Sequence, residues 1–106
     1  MPKRILEIGT GNGEGTLTLA ASLDADGLLI TMEPDAALAA EARRRFSEAG
    51  FGDRISVIVG EPARFLHKIR GPFDVIVQRQ PDTHDLRARL EALLAPGGIM
   101  KGHDDR

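Results

Sequence analysis

Five short apolar runs rich in β-branched residues alternate along this chain with four stretches whose apolar residues recur at helical spacing, and that alternation restricts the fold more than any other feature. Ile5–Ile8, Leu28–Met32, Ile55–Val59, Phe73–Val77 and Ile99–Lys101 predict strands. Between them, Glu14–Leu23 carries an apolar stripe of Leu17, Ala20, Ala21 and Leu23. Leu38, Ala42, Phe46 and Ala49 form a second stripe between an Asp35 cap and a Gly50 stop. Pro62–Ile69 predicts a short third helix, and Leu86, Leu90, Leu93 and Leu94 a fourth, closed by Ala95-Pro96-Gly97-Gly98. Strands alternating with helices build an α/β, doubly wound parallel sheet with right-handed crossovers. The expected strand order is 3-2-1-4-5. Strand order then reverses between the first and fourth strands, and the loop after Ile8 and the segment from Gln78 to Asp82 face one crevice, where ligands of such sheets sit.

At 106 residues the chain suffices for one domain, residues 1–106, with one core. Its 14 Lys and Arg against 16 Asp and Glu leave a net charge of -2, without the broad basic field that holds a phosphate backbone, so no nucleic-acid partner is expected. Apolar runs such as Leu28-Leu29-Ile30 are far too short for a membrane span. The absence of cysteine excludes disulfides and thiolate metal sites and agrees with a reducing compartment, so the expected location is cytoplasmic.

The strongest chemical signal is Glu7-Ile8-Gly9-Thr10-Gly11-Asn12-Gly13, a strand end, a glycine-rich loop and a helix start. Glycines permit positive φ and close approach of a ligand to the backbone, and the first N–H groups of a helix favour an anionic group. The dinucleotide fingerprint needs a third glycine at position 14, where Glu14 would set a negative charge near a pyrophosphate; the Gly-Lys-Ser/Thr of a phosphate-binding loop is also missing. S-adenosylmethionine, with a sulfonium, an ammonium and a single carboxylate, suits acids beside the loop better, and Glu7 is then attractive. Glu33, 24 positions after Gly9, ends the second strand where a carboxylate can accept both hydrogens of a ribose diol. Gly60-Glu61-Pro62, ending the third strand, is a candidate contact for an adenine edge, although Glu61 serves equally as a helix N-terminal charge.

These residues resemble a known family. Glu7 to Gly13 is similar to the first motif of class I S-adenosylmethionine-dependent methyltransferases, Glu33 to their ribose acid, and Leu94-Ala95-Pro96-Gly97-Gly98 to their Pro-Gly-Gly motif after the helix. The wording around Ile5 to Leu19, Asp53-Arg54-Ile55 and Gly71-Pro72-Phe73-Asp74 is similar to small-molecule O-methyltransferases of the catechol and caffeoyl-CoA type. The resemblance implies a Rossmann-like sheet truncated relative to the family's seven strands, S-adenosylmethionine as cofactor, and methyl transfer to a small-molecule nucleophile, oxygen first. It implies cofactor contacts from Glu7, Gly9, Thr10, Gly11, Gly13, Thr16, Glu33, Pro34, Glu61, Pro62 and Gln78.

The departures bear on catalysis. Glu14-Gly15 stands where O-methyltransferases usually carry an aromatic residue and a serine that helps hold the methionine carboxylate, with Thr16 a candidate substitute. Arg79 stands where metal-dependent members have an aspartate ligand, Asp82 where they have a catalytic lysine, and His103-Asp104 where they have an Asp-Asn metal pair. Arginine neither ligates a hard cation nor acts as a base near neutral pH, so no metal is expected. His103 is the candidate general base with Asp104 to orient it. His67, among basic neighbours, reads as surface; His84 reads as part of a helix start; and Arg43-Arg44-Arg45 reads as a solvated helix face. With the family's flanking segments missing from the 106 residues, a second reading stands beside the enzyme: a cofactor-binding module without activity, serving as a sensor or as a subunit of a larger complex. The fifth, edge strand suggests a homodimer or a larger partner.

Overall fold

In a computed structural model describing residues 1–81 and 83–102, the chain forms one five-stranded parallel sheet in the order β3-β2-β1-β4-β5. The strands are β1 (Arg4–Ile8), β2 (Leu28–Glu33), β3 (Ile55–Val59), β4 (Phe73–Gln78) and β5 (Leu94–Lys101). The helices are α1 (Glu14–Ala20), α2 (Ala36–Glu48), α3 (Pro62–Phe65), which runs on as a 3-10 turn over Leu66–Lys68, and α4 (His84–Glu91). Fold class and strand order are those read from the alternation.

Side chains alternate between the two faces of each strand, and the core divides accordingly. Ile5 and Leu29 pack with Ala20, Leu23, Ala42 and Phe46 beneath α1 and α2. Leu6, Ile8, Met32 and Ile76 pack with Leu66 and Leu90 beneath the other two helices. β1, in the middle of the sheet, has Ile5 through Ile8 all buried, as a parallel strand covered on both faces must. Asp35 caps α2 as expected, its side chain accepting from the N–H groups of Ala37 at 2.9 Å and Leu38 at 3.1 Å. Thr83 caps α4 through the Leu86 N–H at 3.1 Å.

Two boundaries differ from the sequence reading by more than one residue. α1 stops at Ala20, after which Leu19 and Ala20 carbonyls accept from Ser22 and Leu23 in tighter turns; Leu23 still enters the core. More substantially, Leu94 and Ala95-Pro96-Gly97-Gly98 do not close α4; they belong to β5. β5 pairs Leu94 with Phe73 and next Ile99 with Val75, so Ala95 to Gly98 bulge outward opposite Asp74 alone. Pro96 has no N–H to give to a ladder, and an edge-strand bulge is where a strand tolerates it. Asp74 also accepts from the backbone N–H groups of Lys3 at 2.9 Å and Arg4 at 3.0 Å, which hold its carboxyl below the ordinary value.

Candidate functional site

The loop between β1 and α1 is pinned from below. The N–H groups of Gly9 and Thr10 both donate to the carbonyl of Met32 in β2, at 2.9 and 3.2 Å, and Gly13 N–H turns back to the Thr10 carbonyl at 3.1 Å. Asn12 Oδ1 accepts from Glu14 N–H at 3.0 Å and closes the turn into α1. Gly11 and Gly13 both hold positive φ, of 57° and 91°, for different reasons. A Cβ on Gly13 would lie 2.9 Å from Phe46 Cε1, whereas a Cβ on Gly11 would meet nothing within 4 Å. Gly13 permits α1 to pack against α2, and Gly11 leaves its side of the loop open.

Glu33, at the carboxyl end of β2, is only 6% exposed. Its Oε1 accepts from Gly11 N–H at 2.9 Å and its Oε2 from Asp35 N–H at 3.0 Å. The carboxylate is thus oriented by two backbone donors, one on the glycine loop and one at the start of α2. Gly60, following β3, donates its N–H to the Glu33 carbonyl at 3.0 Å, which brings Gly60-Glu61-Pro62 to the same rim.

Glu7 lies beneath the loop, fully buried. Its Oε1 accepts from the hydroxyls of Thr16 and, at 2.7 Å, Thr31, and its Oε2 accepts from Arg79 Nε at 2.7 Å. With its proton directed at Glu7, Thr31 takes a hydrogen from the Thr10 hydroxyl 2.6 Å away, so one polar chain runs from the glycine loop through β2 into β1. Two hydroxyls and a guanidinium supply what the carboxylate loses on leaving water.

A cleft of about 410 Å³ opens above this network, lined by Gly9 to Asn12, Gly15, Glu33, Arg79 and Gln80. It joins the end of β1 to the end of β4, the two segments expected to share a crevice; Arg79 N–H donates to the Ile8 carbonyl at 2.9 Å. Of the residues proposed from sequence, Gly9, Thr10, Gly11 and Glu33 line it. Gly13, Glu7 and Thr16 are buried below, with the Thr16 hydroxyl given to Glu7. Pro34 follows Glu33, half-buried; Pro62 is buried and Glu61 exposed at the start of α3, without a side-chain capping bond. Gln78 is buried at the end of β4: its Oε1 accepts from Gln80 N–H at 2.9 Å, and its Nε2 has no partner among the described residues. His103 and Asp104 lie outside the described residues. His67 and His84 are exposed. Among the described residues no group of three His, Asp or Glu side chains could hold a metal ion.

Sequence reasoning missed Thr31; it placed Asn12 in the glycine loop and Arg79 and Gln80 in the segment facing the crevice, but gave Asn12 and Gln80 no role and read Arg79 as a lost ligand. Thr31 had a readable signal: it pairs with Glu7 in register, so a hydroxyl on β2 faces a carboxylate on β1.

Residues 6–104 match the family model described as a methyltransferase domain. A catechol O-methyltransferase from Mycobacterium tuberculosis is 37% identical over 75 residues, 70% of this chain and 34% of that protein. Among solved structures, the O-methyltransferase TomG from Streptomyces achromogenes, involved in tomaymycin synthesis and in complex with SAM, superposes with a TM-score of 0.87 at 31% identity, covering 93% of this chain and 47% of that one. An O-methyltransferase from Bacillus cereus in complex with SAH superposes with a TM-score of 0.87 at 30% identity, over 95% of this chain and 49% of that one. The chain therefore spans between a third and a half of the length of these relatives.

Proposed function

Because the chain belongs to the methyltransferase-domain family and is similar to class I O-methyltransferases, we propose that it binds S-adenosylmethionine and transfers its methyl group to an oxygen nucleophile on a small molecule. The observation that carries this reading is Glu33, a buried carboxylate held by the N–H groups of Gly11 and Asp35 at the rim of the glycine-lined cleft. Each of its oxygens keeps a further lone pair, so the pair of oxygens suits vicinal ribose hydroxyls. The residues fit such a cofactor in other respects. Gly11 offers open space beside its backbone, and the unpartnered buried Nε2 of Gln78 is a donor in want of an acceptor near the ends of β1 and β4. Gly60-Glu61-Pro62 and Pro34 flank Glu33 on the side proposed for the adenine.

The chemistry this cofactor supplies when bound is an electrophilic methyl group on a sulfonium. The chain's own work is then positioning: the loop is pinned to Met32, and the carboxylate of Glu33 is already oriented by the N–H groups of Gly11 and Asp35. His103, with Asp104 to orient it, is our proposed general base for the acceptor hydroxyl. The residues do not fit a divalent metal at the position after β4, since Arg79 carries no lone pair for a cation and its Nε is bonded to Glu7. No helix among the described residues is long and apolar enough to cross a membrane. The cytoplasm is our proposed compartment, and β5, at the sheet edge with Ile99 exposed, our proposed place for pairing with a second copy or a larger partner.

Titration calorimetry with S-adenosylhomocysteine, followed by turnover of S-adenosylmethionine against a panel of phenols, carboxylates and amines, tests this reading. Binding with turnover on an oxygen acceptor supports it. Binding without turnover makes the chain a cofactor-binding module, and absence of binding refutes the cofactor assignment.

A further inference from the structure

β4 ends at Gln78, and the two residues after it form one wall of the cleft. Gln78 lies beside Ile8 in the register of β4 and β1 and is buried; its Oε1 accepts from Gln80 N–H at 2.9 Å, which turns the chain as soon as the strand ends. Arg79 N–H holds the same segment to the Ile8 carbonyl at 2.9 Å. These two bonds set Gln80 across the end of β1. A Cβ on Gly9, where φ is 99°, would lie 3.3 Å from Gln80 Cγ, so the Gln80 side chain runs against the bare backbone of Gly9. Gln80 is half-buried in the cleft wall, and among the described residues its side-chain amide is bonded to nothing.

The other polar side chains lining the cleft are already committed. Thr10 gives its hydroxyl to Thr31, Asn12 accepts from Glu14 N–H, Glu33 is held by Gly11 and Asp35 on the side proposed for the ribose, and Arg79 is engaged by Glu7. With the adenine and ribose assigned toward β3 and β2, the wall at the end of β4 is the side left for the second substrate. We propose that Gln80 recognises the methyl acceptor, its Nε2 donating to the oxygen of an uncharged hydroxyl. A hydroxyl oxygen has two lone pairs, so one can accept from Gln80 while the other stays free for the methyl group and the proton stays free for the base. A side-chain amide takes up no proton near neutral pH, so the role of Gln80 is recognition and not proton transfer. With Arg79 engaged, a carboxylate acceptor would bring its charge against a neutral amide, and an uncharged hydroxyl is the better match. The proposal rests on the methyl-transfer reading and adds to it the residue that holds the acceptor and the charge state of the group held.

One test needs no turnover. The side-chain amide signals of Gln80, identified in the isotope-labelled full chain by their loss in Gln80→Met, are followed by NMR as phenol, or toluene as a control without oxygen, is added to protein saturated with S-adenosylhomocysteine. Phenol is expected to shift the Gln80 amide and toluene to leave it in place; an amide unmoved by phenol, or moved equally by both, would overturn the proposal. A second test is kinetic. With the best oxygen acceptor of the panel, Gln80→Met should lower kcat/KM about 3- to 10-fold, the worth of one neutral hydrogen bond, while affinity for S-adenosylhomocysteine by calorimetry stays within about twofold. An unchanged kcat/KM, or an equal fall in S-adenosylhomocysteine affinity, would overturn the proposal while leaving the methyl-transfer reading intact. Failure of the unmodified protein to bind S-adenosylhomocysteine, or binding without turnover of any acceptor, would instead overturn the methyl-transfer reading, and this inference with it.

Discussion

Gly11 and Gly13 are two residues apart in one loop, with φ of 57° and 91°, and alanine at each should produce opposite patterns of damage. Both substitutions force an L side chain into the left-handed region, at a cost of about 1–2 kcal/mol, partly offset by about 0.4–1 kcal/mol from the stiffer unfolded chain. For Gly11→Ala that is nearly all, because the new methyl meets no atom within 4 Å, so the net loss is about 1 kcal/mol. For Gly13→Ala the methyl falls 2.9 Å from Phe46 Cε1 and 3.2 Å from Cζ, on a ring that is itself buried in the core under α2. Overpacking there adds about 1–3 kcal/mol, for a total near 2–4 kcal/mol. Urea unfolding at constant m gives both numbers, and titration with S-adenosylhomocysteine gives the second axis. Gly11→Ala should bind at least about tenfold more weakly despite near-normal stability, since its methyl enters the cleft, while folded Gly13→Ala should bind almost normally. Phe46→Leu should cost less in the Gly13→Ala background than alone, a coupling of about 0.5–3 kcal/mol. Equal destabilisation by the two alanines would refute the assignment of Gly13 to packing, and unchanged affinity in Gly11→Ala would refute the assignment of Gly11 to the cleft.

Glu33→Gln keeps the shape but turns one acceptor oxygen into a donor, so one of the bonds from Gly11 and Asp35 is lost; a stability loss of about 1–3 kcal/mol and a fall in S-adenosylhomocysteine affinity are expected by calorimetry, and an unchanged affinity would remove Glu33 from the site. Thr31→Val, close in shape, strips one donor from buried Glu7 and the acceptor from Thr10, and should cost about 1–3 kcal/mol in urea unfolding. Asp74, whose carboxyl is held low by the N–H groups of Lys3 and Arg4, contributes stability that is present above the ordinary carboxylate value and lost as pH falls through the depressed one. Asp74→Asn should therefore flatten the acid limb of stability against pH, and an unaltered limb would contradict the assignment. His103→Ala should lower methyl transfer while leaving cofactor affinity unchanged; full turnover in the variant would exclude it as the base.

The sheet was legible because β-branched runs and helical stripes alternate with little ambiguity, and because parallel connection leaves few ways to order five strands. What the pattern could not show was β5 beginning at Leu94. Pro96, Gly97 and Gly98 signal loop chemistry in any one-dimensional reading, and only pairing with β4 reveals them as a bulge opposite Asp74. At the site, Glu33 was legible from its position at a strand end. Glu7 was legible as an acid near the loop, but its role depends on facing: it shares the side of β1 that holds Ile5, so it points under α1 toward Thr16 and Thr31 and not into the cleft. Arg79 was invisible as a partner because its contacts with Glu7 and Gly15 join residues more than sixty positions apart.

The buried network bears on how the walls of the cleft are held. A fully buried carboxylate with two threonines and an arginine is a weak source of stability, since desolvation of the charge consumes much of what the bonds return, and apolar side chains of similar volume would pack as well. What apolar side chains could not do is tie the loop to the sheet in one geometry. Thr10, on the loop, is bonded to Thr31, which is bonded to Glu7, which holds Arg79 on the far wall of the cleft. One acid on the central strand thus links the two walls, which backbone bonds from Gly9, Thr10 and Arg79 also hold. A turn that merely reversed the chain would need no such brace, whereas a cleft that must receive a flexible cofactor gains affinity from walls already in place.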